Sequence, residues 1–176
     1  MKRCFISIEL PEEIKEEIGK IQEQLPEFTG KFIEKENLHL TLKFLGEIDD
    51  EKIEEIKERL GKIDFNEFKC EIDSIGIFSE NLVRIVWIHL NGCEEIQKKI
   101  DDVLGDIFEK EKRFMSHITI ARVKSIKDKK KFLEELRKIN IEKMIFGIDK
   151  FYLMESVLKI KGPEYRVIKG FEEEKI

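Results

Sequence analysis

At 176 residues and 41% hydrophobic content, the chain can build a substantial core, either as one large domain or as two closely packed lobes. Charged residues make up 40% of it yet sum to a net charge of only −5, which excludes the broad basic surface of a long-nucleic-acid binder but leaves room for a local positive groove. Three cysteines far apart, with no C-x-x-C, argue against a disulfide framework or a zinc knuckle, and no apolar run reaches membrane-spanning length.

Residues 2 to 9 alternate as a strand. Pro11 then opens a helix, with Glu12 and Glu13 at its positive end and a buried stripe of Ile14, Ile18, Ile21 and Leu25. A loop is expected around Pro26 to Gly30, then a strand from about 38 to 45. Asp49 and Asp50 cap a helix whose Ile53, Ile56 and Leu60 recur at helical spacing until Gly61. Segments 66 to 78 and 82 to 90 read as paired strands joined through SENL, and a long helix is expected from Gly92 to Lys110 with Ile96, Ile100, Leu104 and Ile107 on one face. SHITIARVK, residues 116 to 124, alternates again. Ser125 and Asp128 read as a capping box before a helix carrying Phe132, Leu136 and Ile139, and residues 144 to 171 as two or three strands turned at Gly162-Pro163. The second half echoes the architecture of the first, which points to α+β packing with two sheets facing a groove. The apolar stretch in MKRCFISIELP is too short and interrupted for a signal peptide, so the cytoplasm is the expected compartment.

One pattern occurs twice. His39-Leu40-Thr41-Leu42 and His117-Ile118-Thr119-Ile120 share polar and apolar registers, in a chain with only three His and three Thr. On a strand the His and Thr of each pair face the same way, about 6.6 Å apart. A single pair reads most simply as the polar face of a half-buried strand; a doubled pair calls for chemistry. In-line displacement at phosphorus needs a base on one side and an acid on the other, and imidazole serves either purpose near neutral pH. Thr41 and Thr119 would donate to the non-bridging oxygens. Such a site needs no metal or cofactor. Two His could ligate zinc, but Thr is a poor ligand and no Asp, Glu or Cys shares either register to complete the sphere. His89, in WIHLNG, reads as the end of a strand before the Gly92 turn, a structural residue.

At these residues the chain resembles the two-histidine (2H) phosphoesterase superfamily, defined by two H-x-T-x motifs, and within it the RNA 2′,3′-cyclic phosphodiesterase family, historically called 2′-5′ RNA ligase. RCFISIELPEEI resembles the family's opening strand and helix, ENLHLTLKFLGEI and FMSHITIARVK its motifs, and LMESVLKIKGPEYRVI its closing strands. The resemblance implies one bilobal domain over residues 1 to 176, with pseudo-twofold lobes whose antiparallel sheets face a central groove and whose helices lie outside. It implies hydrolysis of a terminal 2′,3′-cyclic phosphate on RNA to a 2′-phosphomonoester, with reversible 2′-5′ ligation as the same displacement run with a ribose 5′-hydroxyl. His39 would be the proton donor to the leaving 3′-oxygen and His117 the proton acceptor, roles that spacing alone does not assign. The partners implied are RNA ends bearing the cyclic phosphate, tRNA fragments among them, met by a monomer away from membranes.

Arg122 matches an arginine the family carries after its second motif, and its guanidinium suits phosphate. Five residues beyond His117 it would fall on the opposite face of a regular strand, so a site role requires a bulge. Lys43 shares the His39 register and would add positive potential, unless it is a solvated rim residue. Phe5, Ser7 and Tyr165 are expected to line the groove, where an aromatic ring can stack a terminal base. Two other readings stay open: a non-catalytic RNA-end or nucleotide-binding module, and a phosphoesterase for a small cyclic nucleotide.

Overall fold

The computed structural model describes residues 1–174. Its elements run β1 (Lys2–Glu9), α1 (Glu12–Glu23), β2 (Thr29–Phe32), a short 3-10 turn at Lys35–Asn37, β3 (His39–Ile48), α2 (Asp50–Leu60), β4 (Phe68–Ile77), β5 (Ile85–Asn91), α3 (Glu94–Leu104), β6 (His117–Ser125), α4 (Lys129–Lys138), β7 (Met144–Ile148), β8 (Lys150–Lys159) and β9 (Gly162–Glu172). They form an α+β fold of two lobes. One antiparallel sheet has the order β3-β1-β8-β9, the other β2-β6-β5-β4-β7.

The unit β1-α1-β3-α2 in the first sheet matches β5-α3-β6-α4 in the second. In each, two antiparallel neighbours are joined through a helix, and a further strand, β8 or β4, continues the sheet on the far side. Alternation in the strands sends Ile6, Ile8, Leu40 and Leu42 to one side of the first sheet, and Ile88, Leu90, Ile118 and Ile120 to one side of the second. All are buried with the apolar stripes of the four helices. The opposite faces of the sheets carry the polar register and meet at the groove. Cys4, Cys70 and Cys93 are free and buried.

The helices begin where charge and caps dictate. Asp49 accepts from the Lys52 N–H at 2.8 Å to open α2, and acids occupy the first turns of α1, α2 and α3. Three expectations need correction. Helix α3 stops at Leu104, not Lys110: Gly105 follows as its C-cap, and only the N–H groups of Ile107 and Phe108 turn back to the Leu104 carbonyl, so the apolar spacing outlasts the helix. Ser125 is the last residue of β6, paired with Thr29, and no capping box forms; Asp128 alone caps α4, accepting from the Lys131 N–H. Thr29 and Gly30, expected at the end of a loop, open a strand over residues 29 to 32. Their side chains are all exposed, so β2 has no buried face to write an alternation into the sequence. It is built from the first half of the chain but completes the edge of the second sheet, beside β6.

Candidate active site

Each motif histidine is the first residue of its strand, and each ring is fixed in the same way. Nδ1 of His39 donates to the Asn37 carbonyl at 2.7 Å, and Nδ1 of His117 donates to the Met115 carbonyl at 2.8 Å, in both cases two residues back along the chain. A carbonyl can only accept, so the proton sits on Nδ1 and Nε2 is left as the exchangeable atom. In His39 that Nε2 lies 3.0 Å from the Thr41 hydroxyl, which donates to it while the ring is neutral. Rings pack around both imidazoles: Phe5 and Tyr165 stand 5.2 and 5.0 Å from His39, and Phe78 stands edge-on 5.1 Å from His117. Burial pushes the pKa of His39 below its ordinary value; the bond to Asn37 opposes this, while the charges of Arg122, His117 and Lys15 add to it.

Two residues beyond each histidine the strand is irregular. Along β3, Thr41 faces Ser7 but Lys43 faces Ile6, so Leu42 is an extra residue; along β6, Thr119 faces Trp87 but Ala121 faces Val86, so Ile120 is extra. The bulge turns two successive side chains inward. Leu42 and Lys43 are both buried, as are Ile120 and Ala121, and the next residue in each strand, Phe44 or Arg122, then takes the groove face.

The same irregularity decides two sequence expectations in opposite directions. Arg122 comes to the groove with the histidines, although regular alternation would have turned it away. Lys43 does not: it is 3% exposed, its Nζ donates to Asp101 at 2.6 Å and to the Glu109 carbonyl at 2.7 Å, and it lies on the core face. Ser7 also falls outside the lining; it sits between Thr41 and Tyr152 in the sheet and is 1% exposed. His39, Thr41, His117, Thr119, Arg122, Phe5 and Tyr165 line one cavity of about 580 Å³. Arg3, Asn37, Phe44 and Ser156 join them. Arg3 shares the Phe5 register and was legible by alternation; Phe44 was not, because the bulge hid it.

His89 is the cross-strand partner of His117, but its Nδ1 binds Asp73 at 2.9 Å, and it does not line the cavity. Burial works to raise the Asp73 pKa, and hydrogen bonds from His89, Ser74 and Asn91 outweigh it, holding the carboxyl below its ordinary value. Among the described residues, no three His, Cys, Asp or Glu side chains gather where they could hold a metal ion.

A family model for LigT-like phosphoesterases matches residues 8–87 and 91–165. An RNA 2′,3′-cyclic phosphodiesterase of Methanocaldococcus jannaschii is 41% identical, covering 95% of this chain and 98% of its own. One from Thermotoga maritima is 34% identical, covering 94% and 92%. Among solved structures, the LigT protein of E. coli in complex with 3′-AMP superposes with a TM-score of 0.80 at 24% identity over 99% of each chain. A Thermus thermophilus protein does so with a TM-score of 0.78 at 24% identity over 97% of each. At such identities these two structures speak for the two-lobed fold.

Proposed function

The chain belongs to the LigT-like phosphoesterase family, within the 2H superfamily, and we propose that its groove performs the hydrolysis after which its relatives are named. It is an RNA 2′,3′-cyclic phosphodiesterase. Each lobe contributes one imidazole, so the two lobes act as one domain and neither half makes the site alone. A single chain supplies the whole constellation, which suits a monomer. RNA ends carrying the cyclic phosphate, tRNA fragments among them, are the substrates in this reading, met in the cytoplasm.

The cyclic phosphate sits between the imidazoles. Nε2 of His117 takes a proton from water as the water oxygen bonds to phosphorus; the P–O3′ bond breaks, and His39 gives its Nε2 proton to O3′. The products are a 2′-phosphomonoester and a free 3′-hydroxyl. Thr41 and Thr119 hold the non-bridging oxygens, and Arg122 offsets the charge that grows on them. Before substrate binds, His39 tends to be neutral, because burial and nearby cations oppose its protonation. A bound phosphate anion reverses that balance, so substrate itself helps to load the acid. A ribose 5′-hydroxyl in place of water gives a 2′-5′ linkage by the same displacement.

The observation that carries this reading is that both Nδ1-anchored imidazoles line one cavity with Thr41, Thr119 and Arg122. The test is an RNA ending in a 2′,3′-cyclic phosphate, incubated with chelator. Wild type should leave the phosphate on the 2′-oxygen, and His39→Ala and His117→Ala should each lower kcat by about 10² to 10⁴ while the circular dichroism stays native. Full activity in both variants overturns the assignment.

A further inference from the structure

Beside His117, next to the cavity but outside its lining, the second sheet carries two further rings. In β5, Trp87 lies opposite Thr119, and in β4, Gly76 lies opposite Trp87. A Cβ at Gly76 would fall 2.6 Å from the indole, so the Trp87 ring lies directly against bare backbone and would have to shift for any larger residue there. Phe78, just beyond the end of β4, stands 5.8 Å from the Trp87 ring and 5.1 Å from that of His117, and is 56% exposed. Phe78 thus touches both the His117 imidazole and the Trp87 indole. A single exposed phenylalanine is ordinary. One held edge-on to the entering side of a displacement site, with a second ring behind it, is a surface on which a flat ligand can stack.

In-line geometry says which ligand. If His39 protonates O3′, the ribose that carries the cyclic phosphate lies toward His39, among Phe5 and Tyr165, and the space beside His117 belongs to the nucleophile. Water gains nothing from an apolar ring there. We propose that Phe78 and Trp87 form a stacking subsite for the base of a second ribonucleoside, whose free 5′-hydroxyl replaces water at His117. This rests on the His117 role stated above. The 5′-oxygen bonds to phosphorus as P–O3′ breaks, His117 takes the 5′-hydroxyl proton, His39 supplies one to O3′, and the product is a 2′-5′ phosphodiester with a free 3′-hydroxyl. No other reactant is consumed.

The experiment supplies the full chain with a cyclic-phosphate RNA and an excess of a short 5′-hydroxyl oligoribonucleotide, and measures the ratio of joined to hydrolysed product. Stacking of one base is commonly lost on alanine substitution by a factor of about ten or more. Phe78→Ala should therefore lower that ratio about tenfold, and Phe78→Trp should preserve or raise it. An unchanged ratio in Phe78→Ala overturns the subsite, as does an equal fall in both products, which would mean that the rings hold the cyclic-phosphate strand itself. Wild-type enzyme that hydrolyses but yields no joined product overturns it too. Loss of hydrolysis in wild type would instead strike the underlying phosphodiesterase reading.

Discussion

The strand bearing His39 and the strand bearing His117 share more than a motif, and they are held in place differently. Both begin at the imidazole, both anchor Nδ1 on the carbonyl two residues back, and both bulge directly after the threonine. Past the bulge they diverge. β3 turns Lys43 into the core and offers Phe44 to the groove; β6 turns Ala121 inward and offers Arg122. One backbone device has thus been filled with an apolar ring on one side and a cation on the other, and only the second suits a phosphate.

The supports differ as well, and they are exchanged between lobes. The extra residue of β6 is secured by the segment from α1 to β2. Gln22 Nε2 donates to the Ile120 carbonyl and to that of Ile33, each at 2.9 Å, while the Ile33 N–H also donates to Ile120 at 3.0 Å. Gly30, with φ +158, lies so close to Arg122 that a Cβ would fall 2.1 Å from its carbonyl oxygen. The bulge of β3 is secured from α3. Asp101 accepts from Lys43, from Gln97 and from the Glu111 N–H, and Lys43 also reaches the Glu109 carbonyl. The helix of each lobe therefore fixes the motif strand of the other, through a neutral amide on one side and a buried ion pair on the other.

The ion pair is the side that breaks hardest. Lys43→Met leaves the Asp101 carboxylate buried and uncompensated, and should cost about 3–5 kcal/mol of stability, read as a lower urea midpoint. Burial works to raise the Asp101 pKa, but the bonds from Lys43, Glu111 and Gln97 outweigh it and hold it below the ordinary carboxylate value. The stabilisation from this pair is accordingly complete above about pH 4 and lost as pH falls through the lower folded value. A wild-type and Lys43→Met pair with the same acid limb of stability would show that the pair does not carry this dependence.

Arg122→Ala tests the groove side of the comparison. Loss of the cation should lower kcat about 10²-fold with little change in stability. It also removes a charge that depresses the His39 pKa, so the limb at which kcat/KM falls with rising pH should move to higher pH. A limb that stays fixed would separate Arg122 from His39.

Gln22→Leu should cost about 1–2 kcal/mol, since two carbonyls lose a donor, and should reproduce part of the Arg122→Ala pH shift with kcat lowered about tenfold. Loss of stability with an unmoved pH profile would reduce Gln22 to packing. Phe44→Ala, the counterpart of Arg122→Ala, should change kcat/KM by less than about threefold, because a surface ring away from any hydrogen bond is worth little.

The doubled His-x-Thr and the strand and helix periods were legible from residue order alone, because alternation and the 3.6-residue repeat are local properties of the backbone. So was the capping aspartate Asp49, whereas Asp128 was read as the partner of a Ser125 cap that β6 takes up instead. Which way Lys43 and Arg122 face was not legible. Both lie past a bulge, and a bulge is set by what the neighbouring strand pairs with and by which distant donors meet the freed carbonyl, here Gln22 and Ile33 for Ile120. Strand β2 stayed hidden for a related reason: an edge strand with no buried side has only its backbone partner to define it. Sequence alone determined that two imidazoles and two hydroxyls would stand on like strand faces. Tertiary structure alone decided which cation joins them, because a one-residue slip in pairing inverts the face of everything that follows.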